Sequence, residues 1–76
     1  MSILNNPRYK IIYASDVSSR DGIGLEVWKD DKQILEIFRD DTEKTRRISI
    51  FNQPIDVEIV EEALKLFQKE LWKFET

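Results

Sequence analysis

Ile23–Arg39 reads IGLEVWKDDKQILEIFR. Two runs rich in β-branched and aromatic residues flank a short polar segment, the pattern of a β-hairpin. Side chains alternate across a strand, so a one-residue slip would turn a whole apolar row to the wrong face. A three-residue loop of Asp30, Asp31 and Lys32 sets Lys29 against Gln33 and brings Leu25 and Val27 opposite Ile37 and Leu35. A two-residue loop would set Leu25 against Glu36 and waste the buried face, so the longer loop is expected. The same register places Glu26 opposite Glu36 on the reverse face, a mildly destabilising like-charge pair.

Outward from the hairpin the pattern stays strand-like on both sides. RYKIIYA (Arg8 to Ala14) alternates Tyr9, Ile11 and Tyr13 with Lys10, Ile12 and Ala14. A polar loop, SDVSSRDG, joins it to the hairpin, and Gly22 and Gly24 are expected to serve turn and bulge geometry. Beyond the hairpin, FRDDTEKTRR (Phe38 to Arg47) reads as a solvated turn, because Asp favours turns and charge density keeps a connection wet. TRRISIF (Thr45 to Phe51) supplies a fourth strand with Ile48 and Ile50 on the core side.

NQPID then stops the sheet and starts a helix. Asp56 is placed to cap it, Glu58 and Glu61 suit its positive end, and Ile55 can pack on Val60 as a hydrophobic staple. Val60, Ala63, Leu64, Phe67, Leu71 and Phe74 form one apolar stripe, with Glu61, Lys65, Lys69 and Lys73 opposite. Trp72 flanks the stripe as a core-edge residue. The expected fold is therefore α+β and two-layered: a four-stranded antiparallel β-meander followed by one C-terminal amphipathic helix, ββββα.

The chain of 76 residues fits one domain, 1–76, with residues 1–7 as a loosely ordered lead-in. The start, MSILNNPRYK, lacks the apolar run of a signal peptide, and no window approaches a membrane span. The chain contains no cysteine, which suits a reducing compartment, and a soluble cytoplasmic protein is expected. Fifteen acidic residues against twelve basic ones give a net charge of −3, a balance that repels polyanions.

Catalytic and metal signatures fail on residue type and spacing. Without histidine or cysteine the commonest general base and soft nucleophile are missing, and the paired Glu26 and Glu36 read as surface carboxylates. Asp16–Glu26 does not fit a calcium loop, because Arg20 and Asp21 stand where an oxygen ligand and a glycine are needed. Gly22 and Gly24 lack the third glycine and following helix of a phosphate cradle. No catalytic residue, metal site or cofactor is assigned.

One helix covers one sheet face. The reverse face should then carry Trp28, Ile34, Phe38 and Phe51, interrupted by Glu26, Glu36, Arg47 and Ser49, and such a mixed aromatic face reads as an interface. The expected function is a non-enzymatic, acidic protein-binding module, as a small inhibitor or immunity-type protein would be, that covers a basic partner protein. Its anchors are Trp28, Phe38 and Phe51. Glu26, Glu36, Asp40 and Asp41 supply charge complementarity, and Arg47 either orients the glutamates or pairs with the partner. Two other readings use the same face: a structural homodimer that buries it, and a single-stranded nucleic-acid binder stacking bases on Tyr9, Tyr13, Trp28 or Phe38.

Overall fold

A computed structural model describes residues 5–16, 21–51 and 54–75. The lead-in up to residue 4 and residues 17–20 of the first loop lie outside the described residues. The chain forms four strands and a helix: β1 (Tyr9–Asp16), β2 (Gly22–Lys29), β3 (Lys32–Asp40), β4 (Thr45–Ile50) and α1 (Val57–Glu70). The strands make one antiparallel sheet in the order β1-β2-β3-β4, so the fold is α+β with a ββββα meander and one covering helix.

The hairpin reaches its register by a different route from the one expected. Leu25 does face Ile37, Val27 faces Leu35, and Glu26 faces Glu36. The loop, however, has two residues, because Lys29 pairs with Lys32 and Trp28 with Gln33. A bulge opposite Val27 and Trp28 absorbs Ile34 as an extra residue and restores the apolar rows. The bulge also turns Ile34 to the helix side, next to Leu35, instead of onto the reverse face, and both are buried in the core.

The tight loop holds Asp30 and Asp31 at φ 50° and 66°, the left-handed pair that matches the twist of a two-residue hairpin. Asp30 is anchored by an ion pair with Arg8, which lowers its carboxyl below the ordinary range, chiefly through the Arg8 hydrogen bond. Asp31 has no such anchor among the described residues. Left-handed backbone costs a non-glycine residue roughly 1–2 kcal/mol, and added chain entropy in glycine returns part of that. Asp31→Gly is therefore expected to stabilise the domain by about 0.5 kcal/mol, read as a higher urea midpoint.

Leu25, Val27, Leu35, Ile37, Ile59, Ala63 and Phe67 are at most 3% exposed and define the centre of the core. Ile34 and Leu71 complete it, with Tyr9, Ile11, Ile23, Ile55, Val60 and Leu66 packed at its border. The stripe is thus centred on Ile59, Ala63 and Phe67, rotated from the one expected. Leu64 is exposed, and Phe74 lies beyond the last helical turn. Asp56 occupies the N-cap position, but its side chain makes no capping hydrogen bond. Its carbonyl accepts from the Ile59 N–H instead.

The helix packs on β2 and β3 and leaves the β4 edge open. Ile48 and Ile50 are on the helix side, as expected, yet remain 47% and 52% exposed. Gly22 and Gly24 both lie inside β2, not in a turn, and neither has a positive φ. Their role is close approach: a Cβ on Gly22 would overlap the Arg39 carbonyl, and one on Gly24 would sit 3.1 Å from the Phe38 ring. No helix among the described residues is long and apolar enough to cross a membrane.

Candidate functional site

Among the described residues the reverse face carries two hollows rather than one aromatic plane. Its residues are those of the strands that point away from α1: Lys10 and Ile12 on β1, Glu26 and Trp28 on β2, Glu36, Phe38 and Asp40 on β3, and Arg47 and Ser49 on β4. The larger hollow, about 380 Å³, is lined by Glu36, Phe38, Asp40, Glu43, Thr45, Arg47 and Ser49. Four of the residues expected from the sequence thus meet in it. Phe38 is only 5% exposed, because its ring lies over Gly24, where no side chain intervenes. It forms the floor of the hollow, while the carboxylates of Glu36, Asp40 and Glu43, the hydroxyls of Thr45 and Ser49 and the Arg47 side chain surround it.

The second hollow, about 320 Å³, is lined by Pro7, Arg8, Lys10, Trp28, Asp30 and Asp31 at the hairpin end of the sheet. Trp28 is half-buried, and its indole N–H donates to Glu26 Oε1 at 2.9 Å. That bond gives Glu26 a neutral donor partner, which offsets part of its repulsion with Glu36 across the hairpin. Phe51 follows β4, half-buried, with its N–H donated to the Ile34 carbonyl. Trp28, Phe38 and Phe51 therefore do not form one exposed patch.

The polar turn after β3 is a latch as well as a solvated connection. Asp40 Oδ1 accepts from the N–H groups of Thr42 and Glu43 at 3.0 and 2.9 Å, closing the turn, and Lys44 leaves it at φ 58°. Asp41 turns inward. Its side chain and that of Arg39 are each 8% exposed, with Arg39 Nε 2.8 Å from Asp41 Oδ1, an ion-pair contact out of line for a hydrogen bond. Arg39 Nη2 donates to Asp41 Oδ2 at 3.2 Å, and Nη1 donates to the Leu71 carbonyl at the helix end. The Glu75 N–H donates to Asp41 Oδ1 at 3.1 Å. Burial alone would raise the Asp41 carboxyl, but the hydrogen bonds from Arg39 and Glu75 and the charges of Arg39 and Lys44 outweigh it and hold it below the ordinary range.

Arg46 completes the latch. Its Nε donates to the Trp72 carbonyl at 2.9 Å, and its guanidinium stacks 3.8 Å from the Trp72 ring centre and 4.2 Å from that of Phe74. Trp72 meets Phe67 edge to face at 6.2 Å but is 41% exposed, more open than a core-edge residue. Sequence reasoning missed this arrangement. Its only trace is an arginine two residues before an aspartate at the end of an apolar strand, with aromatics after the helix.

Tyr9 and Tyr13 share the helix side with Ile11, whereas Trp28 and Phe38 are on the reverse side. The stacking platform of a nucleic-acid binder is therefore split between two faces. Among the described residues no group of three or more acidic side chains is arranged to hold a metal ion. The chain matches no protein-family model, and no curated protein or solved structure is significantly similar to it.

Proposed function

We propose that this protein is a non-enzymatic protein-binding module that takes a basic segment of a partner protein into the hollow between β3 and β4, acting in the cytoplasm as an inhibitor or immunity-type protein would. The observation that carries this reading is the composition of the hollow. Glu36, Asp40 and Glu43 stand around an aromatic floor, with Thr45 and Ser49 as further acceptors and Arg47 at one side. A lysine or arginine side chain entering there meets carboxylates at its head and apolar surface along its stem. The net charge of −3 adds long-range attraction for a basic partner. Trp28, in the neighbouring hollow, extends the contact toward the hairpin end.

A short peptide rich in lysine and arginine serves as a probe, titrated calorimetrically at low salt. Saturable one-to-one binding is expected, weakening as salt screens the carboxylates. Glu36→Gln combined with Glu43→Lys should reduce the affinity at least tenfold, a loss of about 1.4 kcal/mol. Unchanged affinity in that variant would refute the assignment of the hollow.

A further inference from the structure

The open edge of β4 is built to pair with another strand. The Phe51 N–H is donated to β3, and along an antiparallel ladder alternate residues face alternate sides, so Arg46, Ile48 and Ile50 direct their N–H and C=O groups away from the sheet. Edge strands are ordinarily protected by bulges, prolines or outward-reaching charges. The β4 register is regular, and the strand TRRISI contains no proline. Arg46, the charge that could guard the helix side, is folded back onto Trp72 and Phe74. Ile48 and Ile50 stand half-exposed beside the open backbone.

We propose that a second copy of this chain occupies the edge, with β4 pairing antiparallel to β4 about a two-fold axis at Ile48. Charge placement selects that axis. With Ile48 opposite itself, Arg46 faces Ile50 of the second copy and Arg47 faces its Ser49, so no like charges stand directly opposite, and the two Arg47 side chains are only diagonal neighbours about 7–8 Å apart. An axis at Arg46 or Arg47 sets an arginine against itself, which is destabilising, and an axis nearer Phe51 shortens the ladder. Each hydrogen-bonded pair exchanges two backbone bonds, and the isoleucines of both copies meet on the helix side. The contact is a single strand pair, so the dimer is weak and concentration-dependent. It leaves both reverse faces open, and it stands or falls independently of the binding role proposed for them.

The chain has no cysteine, so a single introduced thiol reports the register. Residues opposite each other in a hydrogen-bonded pair have Cα atoms about 5.5 Å apart, within disulfide range, whereas residues displaced by four positions are more than about 10 Å apart. Under mild oxidation Ile48→Cys should give a disulfide dimer at least tenfold faster than Ile50→Cys, with both variants retaining the wild-type circular dichroism. The sedimentation mass of the wild type should rise from 9.1 kDa toward twice that value as concentration increases from ~10 µM to ~1 mM, and Ile48→Lys should abolish the rise. A mass that stays monomeric throughout would overturn the proposal. So would a dimer in which the two cysteines cross-link at equal rates, or one that Ile48→Lys leaves intact.

Discussion

Arg39→Ala is expected to lower the unfolding free energy by about 3–5 kcal/mol at neutral pH, the cost of leaving one partner of a buried ion pair without the other. The domain as a whole has roughly 4–11 kcal/mol to lose, on typical per-residue stability. The single change thus takes the protein close to unfolding at moderate temperature. The cause is local and specific: Arg39 is the link between the β3–β4 turn and the carbonyl of Leu71 at the helix end, and without it Asp41 keeps a buried charge. Arg39→Met combined with Asp41→Leu should recover most of the loss, because no isolated charge remains. Urea titrations followed by circular dichroism read both effects, and a single variant within about 1 kcal/mol of wild type would contradict the latch.

The same pair sets the acid limb of stability. Asp41 has a folded-state pKa below its unfolded value, so its contribution is fully present above about pH 4 and is lost as pH falls through the folded value. The gap between wild type and Arg39→Ala should narrow below about pH 4 for that reason. Asp30 titrates with the same sign, but both it and Arg8 are exposed and solvent-screened, so the acid limb follows Asp41.

Phe67→Ala is expected to cost about 3–5 kcal/mol through lost burial and the cavity left behind. Phe67 is fully buried at the centre of the helix–sheet contact and supports Trp72 edge to face. Its removal should therefore lower the urea midpoint and change the fluorescence of Trp72 in the native state. Phe67→Leu refills most of the volume and should cost less than about 1.5 kcal/mol. Equal effects from the two substitutions would argue against a tightly packed site.

Alternating apolar residues made the four strands legible in the sequence, and the pairing of Leu25 with Ile37 and Val27 with Leu35 followed from keeping apolar rows together. The turn did not follow, because two solutions give the same rows. A three-residue loop does so directly, and a two-residue loop does so with a bulge at Ile34. Counting residues cannot separate them, and the left-handed tolerance of Asp30 and Asp31 favoured the second. The reverse face was legible as mixed and partly aromatic. It was not legible that Phe38 would sink over Gly24 and leave its carboxylate neighbours as the rim, since that depends on a glycine in the adjacent strand. The Arg39 latch escaped for a related reason: strand alternation places Arg39 on the helix side, and its burial is tolerable only because Asp41 turns inward to pair with it and the returning C-terminal segment adds the Leu71 carbonyl for Arg39 and the Glu75 N–H for Asp41.

The binding role rests on the hollow between β3 and β4, and amide chemical-shift mapping during titration with the lysine- and arginine-rich peptide tests it most directly. Shifts concentrated at Glu36, Phe38, Glu43, Arg47 and Ser49, with the helix amides unmoved, are the expected result. Shifts spread evenly over the acidic surface, or centred on α1, would contradict it.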